Sequence, residues 1–215
     1  MRDRLVYVAD GSMAESVAGL LNRPGIHHAI GCAQFSFDSR SDIKIAAGQY
    51  DPGVYTRADE LMRPFADDYL NAVVIADAEW TGSPGAICIE QQLRSHLENA
   101  GWPPERGLAL VVSPEADLWL WSNSPHTASA LGWESWDTLR PALEDNGWLL
   151  AGDSKPARPK EAAAWALRNG RVRGKPPSRS LFREVSAKVS VQRCQEPAFL
   201  RFLAQLRAWF PLEQA

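Results

Sequence analysis

Ala72-Val-Val-Ile-Ala-Asp-Ala-Glu79 fixes the fold class of this chain. Five small or branched apolar residues run into two acids, and Thr81-Gly-Ser-Pro84 then turns the chain. An unbroken apolar run of this length between turn residues is the mark of a strand buried on both faces, as in a parallel α/β sheet. Asp77 and Glu79 are two positions apart, so on an extended chain their carboxylates point to one side. They sit at the strand's carboxyl end, the edge at which open α/β sheets bind ligands. Two carboxylates there repel each other unless a metal, a proton or a basic group joins them.

Upstream, residues 4–9 read as a strand that runs into Asp10-Gly-Ser12. Met13, Val17, Leu20 and Leu21 follow at helical spacing, with Ser12 and Glu15 in capping-box positions. Asn22-Arg-Pro-Gly25 stops that helix. Residues 26–37 read as a second strand. Residues 39–51 read as a loop with a short strand at 43–47. A helix is expected over 55–70, kinked or split at Pro64. Downstream, Ile87, Ile89, Leu93 and Leu97 place a helix over 86–100, ended by Gly101-Trp-Pro-Pro104, and 108–112 is a further strand. Strands alternating with helices predict a mostly parallel sheet with helices on its faces. Residues 118–121 read as extended, and 125–131 and 135–145 as short helices. The Lys/Pro/Ser stretch 152–159 is the expected boundary between an α/β domain, 1–152, and a helical region, 153–215, that packs on it.

Composition narrows the class. The chain has 215 residues, 45% of them hydrophobic, enough for one good core. No apolar run approaches the ~18 residues of a membrane span, so no membrane partner is expected. The first residues lack the apolar segment of a secretory signal. Cys32, Cys88 and Cys194 are widely spaced and the four histidines make no zinc pattern, which points to the reducing cytoplasm. Charge is unevenly spread. Residues 155–215 carry 13 Lys/Arg and 4 Asp/Glu, whereas residues 1–154 carry 10 and 22. Such asymmetry suits an interaction segment, or basic helices lying across an acidic body. Arg168, Arg171, Arg173, Lys175 and Arg179 follow one another with no acid between them. Within that run Arg171, Arg173 and Lys175 are candidate contacts to a nucleic-acid backbone, with salt-sensitive affinity. Residues 197–210 carry a broad apolar stripe that must bury against the body or another chain.

Three strand ends carry acids: Asp10, then Asp77 with Glu79, then Glu115 with Asp117. If the strands are neighbours, these acids converge on one edge. Hard oxygen ligands of this kind suit Mg²⁺ or Mn²⁺, which polarise phosphoryl groups and activate water. Each acid alone is more often a helix cap or a solvated loop residue, and Asp10 is placed to cap the helix after it. No phosphate-binding glycine loop, nucleophile elbow or His-Glu-x-x-His motif is present. Trp119 and Trp121 can stack a base or anchor a core.

Val8-Ala-Asp-Gly-Ser-Met13, Val74-Ile-Ala-Asp-Ala-Glu79 and Pro114-Glu-Ala-Asp-Leu-Trp-Leu120 together resemble the TOPRIM fold of topoisomerases, primases and several nucleases. Within that group they are similar to a small TOPRIM-like family of bacterial defence and mobile loci, including the TOPRIM-like subunit of methylation-associated anti-phage defence systems. The resemblance implies a component of a defence complex that performs Mg²⁺- or Mn²⁺-dependent phosphodiester chemistry on nucleic acid alongside other subunits. By the same resemblance Asp10 and Glu115 are the catalytic acids, and Asp10, Asp77 and Glu79 the metal ligands. The first acid of the family is usually glutamate, and the pair is usually Asp-x-Asp. Here they are Asp10 and Asp-x-Glu, which keep the charge and change the reach. A scaffold subunit without catalysis, binding partner proteins or nucleic acid, is the alternative. A phosphate hydrolase acting on small molecules is a third.

Overall fold

The structure, a computed structural model, describes residues 1–46, 48–171 and 179–212. Four parallel strands form one sheet in the order β2-β1-β3-β4. They are β1 (Arg2–Val8), β2 (Ile43–Ile45), β3 (Tyr69–Asp77) and β4 (Gly107–Val112). The quoted stretch is the inner strand β3, flanked by β1 with Val8 level with Ile75 and by β4 with Asp77 level with Val112. From Asn71 to Asp77 every residue of β3 is buried, which is why its sequence is continuously apolar rather than alternating.

Helices fill the crossovers. α1 (Gly11–Leu21) leads from β1 towards β2, with two single-turn helices, α2 (Ile26–Ile30) and α3 (Ser39–Asp42), on the way. α4 (Tyr50–Met62) joins β2 to β3, and α5 (Ala86–Ala100) joins β3 to β4. Right-handed crossovers that run in opposite directions along a sheet place their helices on opposite faces. Accordingly α4 and α5 pack together, whereas α1 packs away from them against later elements. β1 connects outward to β2 and β3 connects outward to β4, so the order of the chain switches between β1 and β3.

After β4 come a 3₁₀ turn (Ala116–Leu120), α6 (Pro125–Ala130), α7 (Trp136–Asp145), α8 (Pro159–Asn169), α9 (Ser180–Ser186) and α10 (Pro197–Trp209). Two apolar clusters result. The larger surrounds the sheet and includes Ala198, Phe202, Leu203 and Leu206 of α10. The smaller joins Leu120 and Trp121 to residues of α6, α7, α8 and α9, so it draws on both sides of residue 152. The basic helices do lie across the acidic body: Arg183 pairs with Glu15, Arg201 with Glu90, and Arg201 Nη2 donates to the Ala109 carbonyl at 3.0 Å.

Several local expectations are corrected. Residues 26–30 form a helical turn rather than a strand, bracketed by Gly25 (φ 67°) and Gly31 (φ 81°) in the left-handed region. α4 begins at Tyr50, five residues earlier than predicted, and ends at Met62; a 3₁₀ turn over Arg63–Phe65 holds Pro64. Residues 118–120 belong to a 3₁₀ turn and are not extended. His96, one of the four histidines, is buried on α5, with Nδ1 2.6 Å from Asp59 Oδ1 of α4.

Arg4 of β1 is only 1% exposed. Its guanidinium lies 3.8 Å over the Phe35 ring, with Phe37 and Phe210 also within cation–π reach. None of its nitrogens finds a hydrogen-bond partner. Burial lowers its pKa to about 10, which still leaves it charged at neutral pH.

Candidate functional site

Asp10 lies two residues past the end of β1, and Asp77 is the last residue of β3. The two adjacent inner strands therefore carry their acids to the switch point, where open parallel sheets bind ligands. Asp10 is extended (φ −144°, ψ 175°), and its Oδ1 accepts from the Ser12 and Met13 amides at 2.7 and 2.9 Å. It is thus the N-cap of α1, satisfying two amides that have no partner inside the helix. The Ser12–Glu15 capping box is not formed. Glu15 instead pairs with Arg183.

Asp77 is only 8% exposed. Its Oδ1 accepts the Ala116 amide at 2.6 Å, tying β3 to the segment after β4. Its own amide donates to Asp51 Oδ1 at 2.7 Å. Asp51 lies in the first turn of α4, immediately after Tyr50, whose φ of 52° puts a non-glycine residue in the left-handed region. Backbone held there is strained and is tolerated where the surroundings enforce it. Glu115 accepts the Lys160 amide at 3.3 Å at the start of α8.

These acids share one field. Burial pushes the Asp77 carboxyl up to about 9; repulsion from Asp51, Asp10 and Glu115 adds to this and the Ala116 hydrogen bond opposes it. Asp117 rises to about 6, through burial first and then repulsion from Glu115, with Lys160 opposing. Asp51 and Glu115 are also raised, chiefly by burial, and Lys160 draws both back. Lys160 is therefore the cation within reach of three acids of the group. A second cation closes the side next to Asp10. A Cβ added to Gly11 would come within 2.7 Å of the Arg179 guanidinium, so that side chain lies directly over the start of α1.

The structure thus brings Asp10, Asp77 and Glu115 into one group. Glu79 stands apart from Asp77. It is exposed on the segment beyond β3, its amide donates to the Pro114 carbonyl at 3.1 Å, and its charge adds to the upward shift of Glu115. Arg171 is exposed just past the end of α8, and Arg173 and Lys175 lie outside the described residues. Asp51, Lys160 and Arg179 are the members that sequence reasoning left without a role. Asp51 was hidden by the Pro52-Gly53 pair, which reads as a turn, although proline is well tolerated in a first helical turn.

The donor set is all hard oxygen, the chemistry Mg²⁺ and Mn²⁺ prefer. Among the described residues, however, no three His, Cys, Asp or Glu side chains are gathered about one point as a metal site requires. No helix among them is long and apolar enough to cross a membrane. Comparison with protein-family profiles, with curated proteins and with solved structures returned no match for the chain.

Proposed function

We propose that the chain is a TOPRIM-like component of a bacterial anti-phage defence system, with a divalent-cation site for nucleic-acid phosphodiester chemistry at the carboxyl edge of β1 and β3. The observation that carries this reading is the mutual repulsion among Asp10, Asp51, Asp77, Glu115 and Asp117 near the switch point, short of the close gathering of a formed metal site, with Asp77 held far above the ordinary carboxylate range. Asp10 and Asp77 would hold Mg²⁺, with Asp51 and Glu115 beside them. The bound ion would polarise a phosphoryl oxygen and lower the pKa of a water. Arg179, whose guanidinium lies over Gly11, would receive a phosphate brought to this edge. The link to defence systems and to partner subunits rests on the three motifs quoted above.

Calorimetric titration tests the cation. Mg²⁺ or Mn²⁺ binds the wild-type chain at pH 7.5 and displaces the Asp77 proton, so the measured heat changes with the ionisation enthalpy of the buffer. Asp77→Asn weakens binding about tenfold or more. Equal binding by the variant would remove Asp77 from the site.

DNA binding gives a second test. The logarithm of affinity should fall linearly with the logarithm of salt, and Arg171→Ala, Arg173→Ala and Arg179→Ala should each reduce the slope by about one. Affinity indifferent to both salt and these changes would sink the backbone contact.

One observation favours the scaffold reading instead. Four of the five acids already have a structural partner: Asp10 caps α1, Asp51 and Asp77 accept backbone amides, and Glu115 accepts the Lys160 amide, while the Lys160 charge lies within reach of Asp117. On that reading Lys160 is the built-in counter-cation, Mg²⁺ does not bind, and Lys160→Met destabilises the fold.

A further inference from the structure

A cavity of about 680 Å³ opens on the other side of α1 from β1, between the 3₁₀ turn, α6 and the segment joining α9 to α10. It lies within the ~300–1,000 Å³ range of small-molecule sites. Its wall joins three kinds of group. Val17 and Leu20 of α1, Trp119, Trp121, Phe199 and Phe202 supply apolar and aromatic surface. Serines and Asn123 supply neutral hydrogen-bonding groups. Arg23, Arg140, Lys155, Lys188 and Arg193 supply positive charge, and no aspartate or glutamate among the described residues lines the cavity.

Three of these cations are balanced from outside the wall: Lys155 by Glu196 at 3.0 Å, Arg140 by Glu144 at 2.8 Å and Lys188 by Glu184 at 3.2 Å. Arg193 makes no ion pair among the described residues. Arg23 spends Nη2 on the Ser186 carbonyl, and its buried Nε has no partner. The Trp119 indole N–H is likewise buried without a partner. Both of these donors are closed off even to water, so the polar recognition the cavity offers comes from Arg193, the serines and Asn123.

We propose that this cavity binds a mononucleotide. The phosphate would meet Arg193, with the Arg23 charge beside it, and the base would lie along the aromatic wall. Two simpler ligands fit worse. A free phosphate leaves the aromatic wall unused. A fatty acid leaves the serines and Asn123 without partners. The proposal goes beyond the acidic edge and does not depend on it.

The test is calorimetric titration of the full chain with AMP in the presence of a chelator, so that the acidic edge holds no divalent ion. AMP is expected to bind at one site, with inorganic phosphate and octanoate each roughly tenfold weaker or more. Arg193→Ala should weaken AMP about tenfold, the loss of one charge-assisted contact. Trp119→Ala, which removes the ring from the wall, should weaken it several-fold, whereas Asp77→Asn should leave it unchanged. Arg193 is exposed, so its variant decides the matter even if Trp119→Ala fails to fold. The proposal is overturned if AMP gives no binding heat at millimolar concentration, if phosphate or octanoate binds as tightly, or if Arg193→Ala binds AMP as well as the wild type.

Discussion

Asp77→Asn makes the metal-free protein more stable at pH 8 and flattens its stability profile. Asp77 holds its proton up to about 9 in the folded chain, whereas an unfolded aspartate releases it near pH 4. Between those values the folded state binds a proton that the unfolded state has lost. Stability attributable to this group is therefore complete at low pH and declines as pH rises through the window, by up to about 1.4 kcal/mol per unit. Asp117, raised to about 6, acts with the same sign over the lower part of that range. Asparagine reproduces the shape of the neutral carboxyl, and its side-chain oxygen can still accept the Ala116 amide. Thermal melts from pH 5 to pH 9 should show the wild type falling relative to the variant, with the gap widening towards alkaline pH. A gap that is constant or narrows would mean that Asp77 is ionised in the fold. Adding Mg²⁺ at pH 8 separates the two functional readings. On the metal reading the wild type recovers stability and the variant does not. On the scaffold reading neither responds.

The second large effect is expected at Gly19, near the end of α1. α9 runs alongside α1 in the same direction, with Arg179 over Gly11 and Ser186 against Gly19. A Cβ at Gly19 would stand 2.1 Å from Ser186 Oγ and 2.5 Å from the Arg183 carbonyl oxygen. Rotation can move the hydroxyl aside, but the carbonyl belongs to the α9 backbone. Alanine in a helix interior ordinarily gains about 1 kcal/mol over glycine. Here overpacking should outweigh that gain, for a net loss of about 1–3 kcal/mol in urea denaturation. Gly19→Val should cost more, since its branched side chain adds bulk against the same backbone. Because α9 carries Arg179 at one end and Ser186 at the other, its displacement would disturb both the acidic edge and the cavity wall. A stabilised Gly19→Ala protein would show that α9 is free to shift.

Much of the sheet was legible because burial on both faces leaves a plain signal. β1, β3 and β4 are apolar runs closed by acids or turn residues, and α5 matches its expected span of 86–100. The errors fall where short segments obey two patterns at once. Ile26 and Ile30 are four apart, which is helical spacing, yet the surrounding residues alternate enough to imitate a strand. Trp119 and Trp121 alternate likewise, but Trp119 lies in a 3₁₀ turn that begins at Ala116, whose amide is held by Asp77, and Trp121 lies just beyond that turn. Such a tertiary contact leaves no local trace. The site was legible to the same degree. Asp10, Asp77 and Glu115 could be found because each ends or follows a strand. Asp51, Lys160 and Arg179 reach the site from helix starts that are distant in sequence, and no spacing rule connects them. Glu79 shares a side with Asp77 only if the chain remains extended, and β3 stops at Asp77.

The Arg4 cage has a consequence for the order in which the molecule is made. β1 leaves the ribosome long before α10, yet one of the rings around its buried guanidinium, Phe210, follows that helix. Phe202, Leu203 and Leu206 of that helix also complete the cluster around the sheet. Until they emerge, the nascent sheet keeps an apolar surface and an uncovered charge side by side. Chains usually fold from the N-terminus as they are synthesised. Here the packing around β1 is complete only once α10 has arrived.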